Sequence, residues 1–138
     1  CFLQGHPDVV RLYPEYLEME EKYFERTKVW PIMHIIAIQK HILDANPWVA
    51  RNLVNAFNES KRRSLERLFD PAVSRYPLPW LPTYARRMRD LMGDTFPFGV
   101  EANRESLERV IDYSVKQQMI PKKFTVDELF NDVTRKLV

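Results

Sequence analysis

Pro31-Ile32-Met33-His34-Ile35-Ile36-Ala37-Ile38 restricts the fold of this chain more than any other stretch. A run rich in isoleucine and opened by a proline reads as a buried β-strand. Its two period-2 faces are Ile32/His34/Ile36/Ile38 and Met33/Ile35/Ala37. Both faces are apolar apart from His34, so the pattern predicts a central strand over 32–38, paired along both edges. Ionisable side chains are rarely buried without a partner. His34 is therefore the first candidate for chemistry.

Around this run the chain reads as mostly helical. Gly5-His6-Pro7 is turn-like. Val9 to Tyr13 is a second, short strand candidate, ended by Pro14. Residues 15–26 carry an apolar stripe (Tyr16, Leu17, Tyr23, Phe24) at helical spacing. Asn46-Pro47 offers an N-cap and a first-turn proline for a long helix. That helix places Val49, Leu53, Ala56, Phe57, Leu65 and Leu68 on one face and stops at Asp70-Pro71. Arg75 to Pro82, with Tyr76, Trp80 and Leu81 among three prolines, reads as an extended and anchored connection. A short helix follows, with Tyr84, Met88, Leu91 and Met92 inward and Gly93 as its left-handed cap. Asp94 to Gly99 is a loop. Asn103 is placed to cap a strongly amphipathic helix bearing Leu107, Val110, Ile111, Ser114 and Val115. Thr125-Val126-Asp127-Glu128 has the spacing of a capping box, with Phe124 and Leu129 placed as its hydrophobic staple.

Two short strands do not make a stable sheet. Parted by a helix of about a dozen residues, they suit a crossover in an α/β sheet. The expected fold is therefore helix-rich α/β, with further strands supplied by another copy or by sequence upstream of Cys1.

The 138 residues suffice for one domain with a real core. A net charge of +2, with basic and acidic residues interleaved, gives no argument for nucleic acid or an anionic membrane. Lys61-Arg62-Arg63 and Arg86-Arg87 with Arg89 read as solvated helix faces. Cys1 is the one cysteine, so no internal disulfide is possible. No apolar run approaches the ~18 residues of a membrane span, and no secretory signal is visible. The chain opens Cys-Phe-Leu-Gln rather than with Met. A lipoprotein Cys is usually followed by a polar tether, so the expectation is truncation. No His/Asp/Glu group has a metal-ligand spacing, and there is neither a Ser/His/Asp or Cys/His signature nor a Gly-rich phosphate loop. No metal and no cofactor are expected.

Four motifs occur in order: Tyr23-Phe24-x-x-Thr27-x-x-x-Pro31-Ile32-Met33-His34; Asn46-Pro47-Trp48-Val49; Gly99-x-x-x-Asn103-Arg104-x-x-Leu107-Glu108; and Tyr113-Ser114-x-x-Gln117-x-x-Ile120-Pro121. Together they resemble the carboxy-terminal half of bacterial 4,5-dihydroxyphthalate decarboxylases, from about Gly5 to Phe130. The resemblance implies part of a type II periplasmic binding protein-like fold, two α/β lobes around a cleft, with the amino-terminal half absent. Residues 1–30 would end the second lobe and form the crossover. Residues 31–138 would return to the first lobe and supply the terminal helices. The implied activity is carboxy-lyase chemistry on a hydroxylated aromatic dicarboxylate. The alternative is a non-catalytic substrate-binding protein of an ABC-type transporter for a small anionic or aromatic ligand. A helical interaction module is a third reading. The implied location is cytoplasmic for the enzyme and periplasmic for the receptor. The implied partners are a small-molecule ligand and either the missing amino-terminal half or a second copy.

Each candidate residue carries two readings. His34 falls on the Pro-Ile-x-His motif, where open α/β folds meet ligands at strand ends. It is either a proton donor near neutral pH or a core histidine bonded to backbone carbonyls. Tyr23 and Thr27 offer hydroxyls to a phenol or carboxylate, or else pack and cap a helix end. Trp30 stacks on an aromatic ring or packs between lobes. Arg104 suits a carboxylate through forked hydrogen bonds, with Arg26 as a weaker alternative, or it pairs at the surface. Asn103 contacts substrate or caps its helix. His6 and His41 read as exposed.

Overall fold

The computed structural model describes residues 4–70, 72 and 76–137. Its α-helices are α1 (Tyr16–Thr27), α2 (Lys40–Ala45), α3 (Trp48–Phe69), α4 (Leu81–Met92), α5 (Arg104–Lys116), α6 (Val126–Leu129) and α7 (Asp132–Arg135). A 3-10 turn, Glu101–Asn103, leads into α5. Among the described residues there is no β-strand. The fold is helix-rich, and both strand expectations are corrected at the level of this chain. Val9 to Tyr13 is irregular and open to water, with Val10 80% and Leu12 83% exposed. Residues 32–38 form no regular structure and are unpaired. The reason is that strands form only where a second backbone completes the ladder, and neither segment has one.

The chain divides into two compact units, Cys1–Trp30 and Pro31–Val138. In the first, His6 opens a turn: the Val9 N–H donates to the His6 carbonyl at 3.1 Å. The Arg11 guanidinium lies 4.1 Å from the centre of the Tyr16 ring. Helix α1 buries Phe24 and carries a Lys22–Glu18 pair at 2.6 Å on its wet face. Its end is set by Lys28, at φ +56°, whose N–H donates to the Phe24 carbonyl at 2.7 Å. Left-handed backbone is uncommon for lysine, and here it closes the last turn in place of the usual glycine.

The second unit holds two small apolar clusters. One gathers Val100, Leu107, Ile111 and Val126, with Ile32, Ile120 and Phe130 against it. The other gathers Leu43, Ala50 and Leu137, with Ile38 and Val54 against it. The face predicted for α5 is buried at Leu107 and Ile111, whereas Val110 points to solvent. Helices α3 and α4 pack on each other; Ala85 is buried on α4, and Ala50 of α3 belongs to the Leu43/Leu137 cluster. Tyr84, expected inward on α4, is exposed.

Helix ends show how local rules apply. Gly93 ends α4 at φ +72°, a conformation that a Cβ resists, and its N–H donates to the Arg89 carbonyl at 2.7 Å. Asn46 does not cap α3. Its side-chain amide instead donates to the Ile42 carbonyl at 3.3 Å, at the end of α2. Helix α2 has no counterpart in the sequence expectations. Asp70 ends α3, and its Oδ1 accepts the Ala72 N–H at 2.8 Å. Pro71 and Arg75 lie outside the described residues, as do Cys1 to Leu3. The stretch from Tyr76 to Trp80 is not anchored as expected: its large apolar groups are open to solvent, Trp80 to 79%.

The capping box forms as its spacing dictates. The Glu128 N–H donates to Thr125 Oγ1 at 3.2 Å, and the Thr125 N–H donates to Glu128 Oε2 at 2.6 Å. The Thr125 N–H, and after it the Thr125 hydroxyl donating to the same oxygen at 2.9 Å, hold the Glu128 carboxyl below the usual carboxylate range. Helix α6 has only four residues, so the box supplies most of its definition. Thr125→Ala should lower the unfolding free energy by about 1 kcal/mol. Thr125→Ser should retain most of it. Chemical denaturation of the two variants beside the parent chain measures both.

Candidate functional site

Residues 32–38 and their histidine come first. No hydrogen bond joins residues 32–38 to another described residue. Ile32 and Ile38 are half-buried at its two ends, each on a different cluster of the second unit. Between them Met33, Ile35 and Ile36 are 67%, 65% and 60% exposed. His34 lies midway and is exposed. It makes no hydrogen bond or ion pair with a described residue. Its imidazole therefore has both ring nitrogens available to a ligand.

Tyr23, Thr27 and Trp30 belong to the first unit. Tyr23 and Thr27 stand one turn apart at the end of α1. The Thr27 hydroxyl donates to the Tyr23 carbonyl at 2.8 Å and accepts the Val29 N–H at 3.2 Å. It thus ties off the helix end while its proton is already in use. The Tyr23 ring has the Arg26 guanidinium 6.0 Å from its centre, a weak cation–π contact at most. Trp30 is half-buried.

Asn103 and Arg104 lie in the second unit beside the loop Asp94–Gly99. Asn103 makes no cap for α5. Its side-chain amide donates to the Pro97 carbonyl at 2.7 Å and to the Gly99 carbonyl at 2.8 Å. Both amide protons go to one loop, which fixes the loop's return into α5. Gly99 sits at φ +97°, where a side chain would be strained. Lys61, reaching from α3, holds the other side of the same loop. Its ammonium donates to Asp94 Oδ2 at 2.5 Å and to the Phe96 carbonyl at 2.8 Å, and it lies 4.8 Å from the centre of the Phe98 ring. Sequence reasoning gave Lys61 no such part, because its partners lie more than thirty residues away.

Arg104 forms a fork on Glu101, Nε to Oε2 at 2.9 Å and a terminal nitrogen to Oε1 at 2.6 Å. The same terminal nitrogen reaches Asp127 Oδ1 at 2.9 Å, joining α5 to α6. Arg135 approaches that oxygen to 3.4 Å and also pairs with Asp132. The hydrogen bonds from Arg104 hold the Glu101 and Asp127 carboxyls below their usual range. The Arg104 guanidinium is pushed further up, first by Glu101 and then by Asp127. The Glu101-x-x-Arg104 spacing was visible as a helical pair; Asp127 was not. A substrate carboxylate reaching Arg104 would have to compete with two side-chain carboxylates.

Among the described residues no group of three or more His, Cys, Asp and Glu is placed to hold a metal ion. Among the described residues no helix is long and apolar enough to cross a membrane.

Both depressed carboxyls contribute stability that is fully present above their unfolded pKa values and is lost as pH falls through the folded ones. Unfolding free energy should therefore decline as pH drops from about 5 toward 2. Asp127→Asn should make that decline shallower, and 1 M salt should shrink the difference between variant and parent. Denaturant titrations across that pH range measure both effects. An unchanged pH slope in Asp127→Asn would mean that the pair contributes nothing to folding.

No protein-family model matches the chain. A curated protein from Comamonas testosteroni, 4,5-dihydroxyphthalate decarboxylase, is 31% identical over 132 residues. The match takes in 95% of this chain and 40% of that protein, so the chain spans about two fifths of the length of the relative it matches. Over nearly its whole length the chain is therefore similar to a part of one 4,5-dihydroxyphthalate decarboxylase.

Proposed function

We propose that the protein carrying this chain decarboxylates a hydroxylated aromatic dicarboxylate of the 4,5-dihydroxyphthalate type. One observation carries the reading: the identity with a protein of that name extends over 95% of this chain. The chemistry asks for little. A phenol oxygen para to one carboxylate pushes electron density toward the ring carbon that bears it. That carbon takes up a proton. Its bond to the carboxylate then breaks, carbon dioxide leaves, and the electron pair returns to the ring. The product is the corresponding dihydroxybenzoate. No redox partner enters the balance.

The step needs one proton donor, and we assign it to His34. Its side chain is exposed and without a partner among the described residues, so none of them competes for its proton. Trp30 is the proposed stacking surface for the ring. Tyr23, with its hydroxyl, is the proposed partner of a substrate oxygen. Thr27 and Asn103 have their protons committed to backbone carbonyls. Their part in this reading is to hold α1 and the 94–99 loop in place. Arg104 acts on the substrate only by giving up a carboxylate it already holds.

The test uses the protein expressed from its own gene. His34→Asn keeps size and hydrogen bonding but removes the titratable proton. Turnover of 4,5-dihydroxyphthalate should fall by ~10²–10⁴-fold with the circular dichroism spectrum unchanged. Full activity in the variant removes His34 from the mechanism. Wild-type protein that binds the dicarboxylate and releases no carbon dioxide is a receptor rather than an enzyme.

A further inference from the structure

The connection between α3 and α4 is exposed where its side chains are largest. Tyr76, Leu78 and Trp80 are 60%, 58% and 79% open to solvent, and Tyr84, one helical turn beyond Trp80, is 44%. Leaving such groups in water is unfavourable. The backbone beneath them is held in turns. The Leu78 N–H donates to the Tyr76 carbonyl at 2.7 Å, the Leu81 N–H to the Leu78 carbonyl at 3.3 Å and the Tyr84 N–H to the Trp80 carbonyl at 3.0 Å. Pro77, Pro79 and Pro82 restrict three further φ angles. The aromatic groups therefore stand on a tip that is already ordered before any partner arrives.

The charge around this tip is of one sign. From Pro71 to Arg89 there are four arginines and no acidic residue. Arg75, one of the four, lies outside the described residues. Arg86 is exposed and makes no hydrogen bond or ion pair with a described residue. It stands five residues beyond Leu81, roughly 8 Å along the helix, and Arg87 is exposed beside it. The Arg89 guanidinium lies 4.9 Å from the centre of the Phe69 ring, at the last residue of α3, and pairs with Asp90 at 3.5 Å. Asp70, the acid at the other end of the run, accepts the Ala72 N–H. The net charge of +2 hides this concentration, because the rest of the chain is acidic on balance.

We propose that the tip from Tyr76 to Tyr84 docks on an anionic phospholipid surface, with Leu78 and Trp80 entering the headgroup boundary and Arg86 and Arg87 meeting the phosphates. Tryptophan and tyrosine favour that boundary because each joins an apolar ring to a polar N–H or O–H. Arginines beside them add attraction to a negative surface. Apolar contact and charge thus point to the same partner. Among the described residues no helix can span a bilayer, so the contact is a shallow insertion of side chains. A second copy of the chain is the weaker occupant. A two-fold contact of the tip with itself sets arginine against arginine, whereas a lipid surface supplies the opposite charge. The proposal is independent of the chemistry assigned to His34 and stands whether or not the protein decarboxylates.

The experiment mixes the protein expressed from its own gene with vesicles of phosphatidylglycerol and, separately, of phosphatidylcholine. Sedimentation with the vesicles measures binding. Binding should favour phosphatidylglycerol and weaken as salt is raised. Arg86→Ala should weaken it about five-fold, and Trp80→Ala at least ~10-fold, with circular dichroism as in the parent. Phosphatidylglycerol with brominated acyl chains should quench tryptophan fluorescence. Trp80→Phe keeps an apolar ring and should still bind, but the quenching should be lost. Trp48→Phe removes another exposed tryptophan, on α3, and should leave the quenching in place. Absence of binding, or equal binding to both lipids, overturns the proposal. So does quenching that survives Trp80→Phe. Self-association that Trp80→Ala disrupts, without vesicle binding, makes the tip a contact between copies and overturns it as well.

Discussion

A backbone outside any helix or ladder must have its N–H and C=O groups paired by another group or left to water. That requirement governs the stretch from Pro31 to Ile38, and much else follows from it. The side chains of this stretch are built for an interior, while its position in the chain leaves them outside. Two apolar clusters fix its ends without supplying a ladder. The clusters themselves are small. In the described residues no side chain of any size is buried completely. Such a core suits a portion of a larger packed structure, and the 40% coverage of the relative says the same from sequence.

The candidate site is divided between side chains already engaged and one that is not. Thr27 closes α1, Asn103 and Lys61 tie the 94–99 loop from two sides, and Arg104 bridges α5 to α6 through Asp127. These bonds set the backbone around any site and leave those groups little freedom for a ligand. His34 has no such engagement. A histidine with free ring nitrogens in an apolar segment is a strange surface residue and a reasonable proton donor once enclosed. This contrast is the reason to assign the chemistry to His34 and a supporting part to Asn103 and Thr27.

What was legible in the sequence follows the range of the interaction concerned. The Thr125 box spans three residues, and it forms as written. The Leu107/Ile111 face of α5 is equally local and holds; Gly93 does end α4 at positive φ, but at ψ −109° rather than in the left-handed helical conformation expected. The helix expected over 15–26 is α1, shifted by one residue. Helix α2 was not legible because six residues with one buried leucine leave no periodic signal. Asn46 and Asn103 looked like N-caps, since asparagine accepts well at that position. In both cases the side-chain amide donates to carbonyls that precede it instead. The strands at 9–13 and 32–38 were read from side-chain pattern, which reports a preference for a sheet and not the presence of its neighbours. The pairing of Arg104 with Asp127 spans twenty-three residues and has no sequence signature.

The central claim is that a proton is delivered to an aromatic ring carbon as its carboxylate departs. Turnover of 4,5-dihydroxyphthalate by the wild-type protein in deuterium oxide tests it most directly, read by mass spectrometry and proton NMR. The account predicts one deuterium in the product for each carbon dioxide released, placed on the ring carbon that lost its carboxylate. Recovery of unchanged substrate, or product with no deuterium at that carbon, would contradict it.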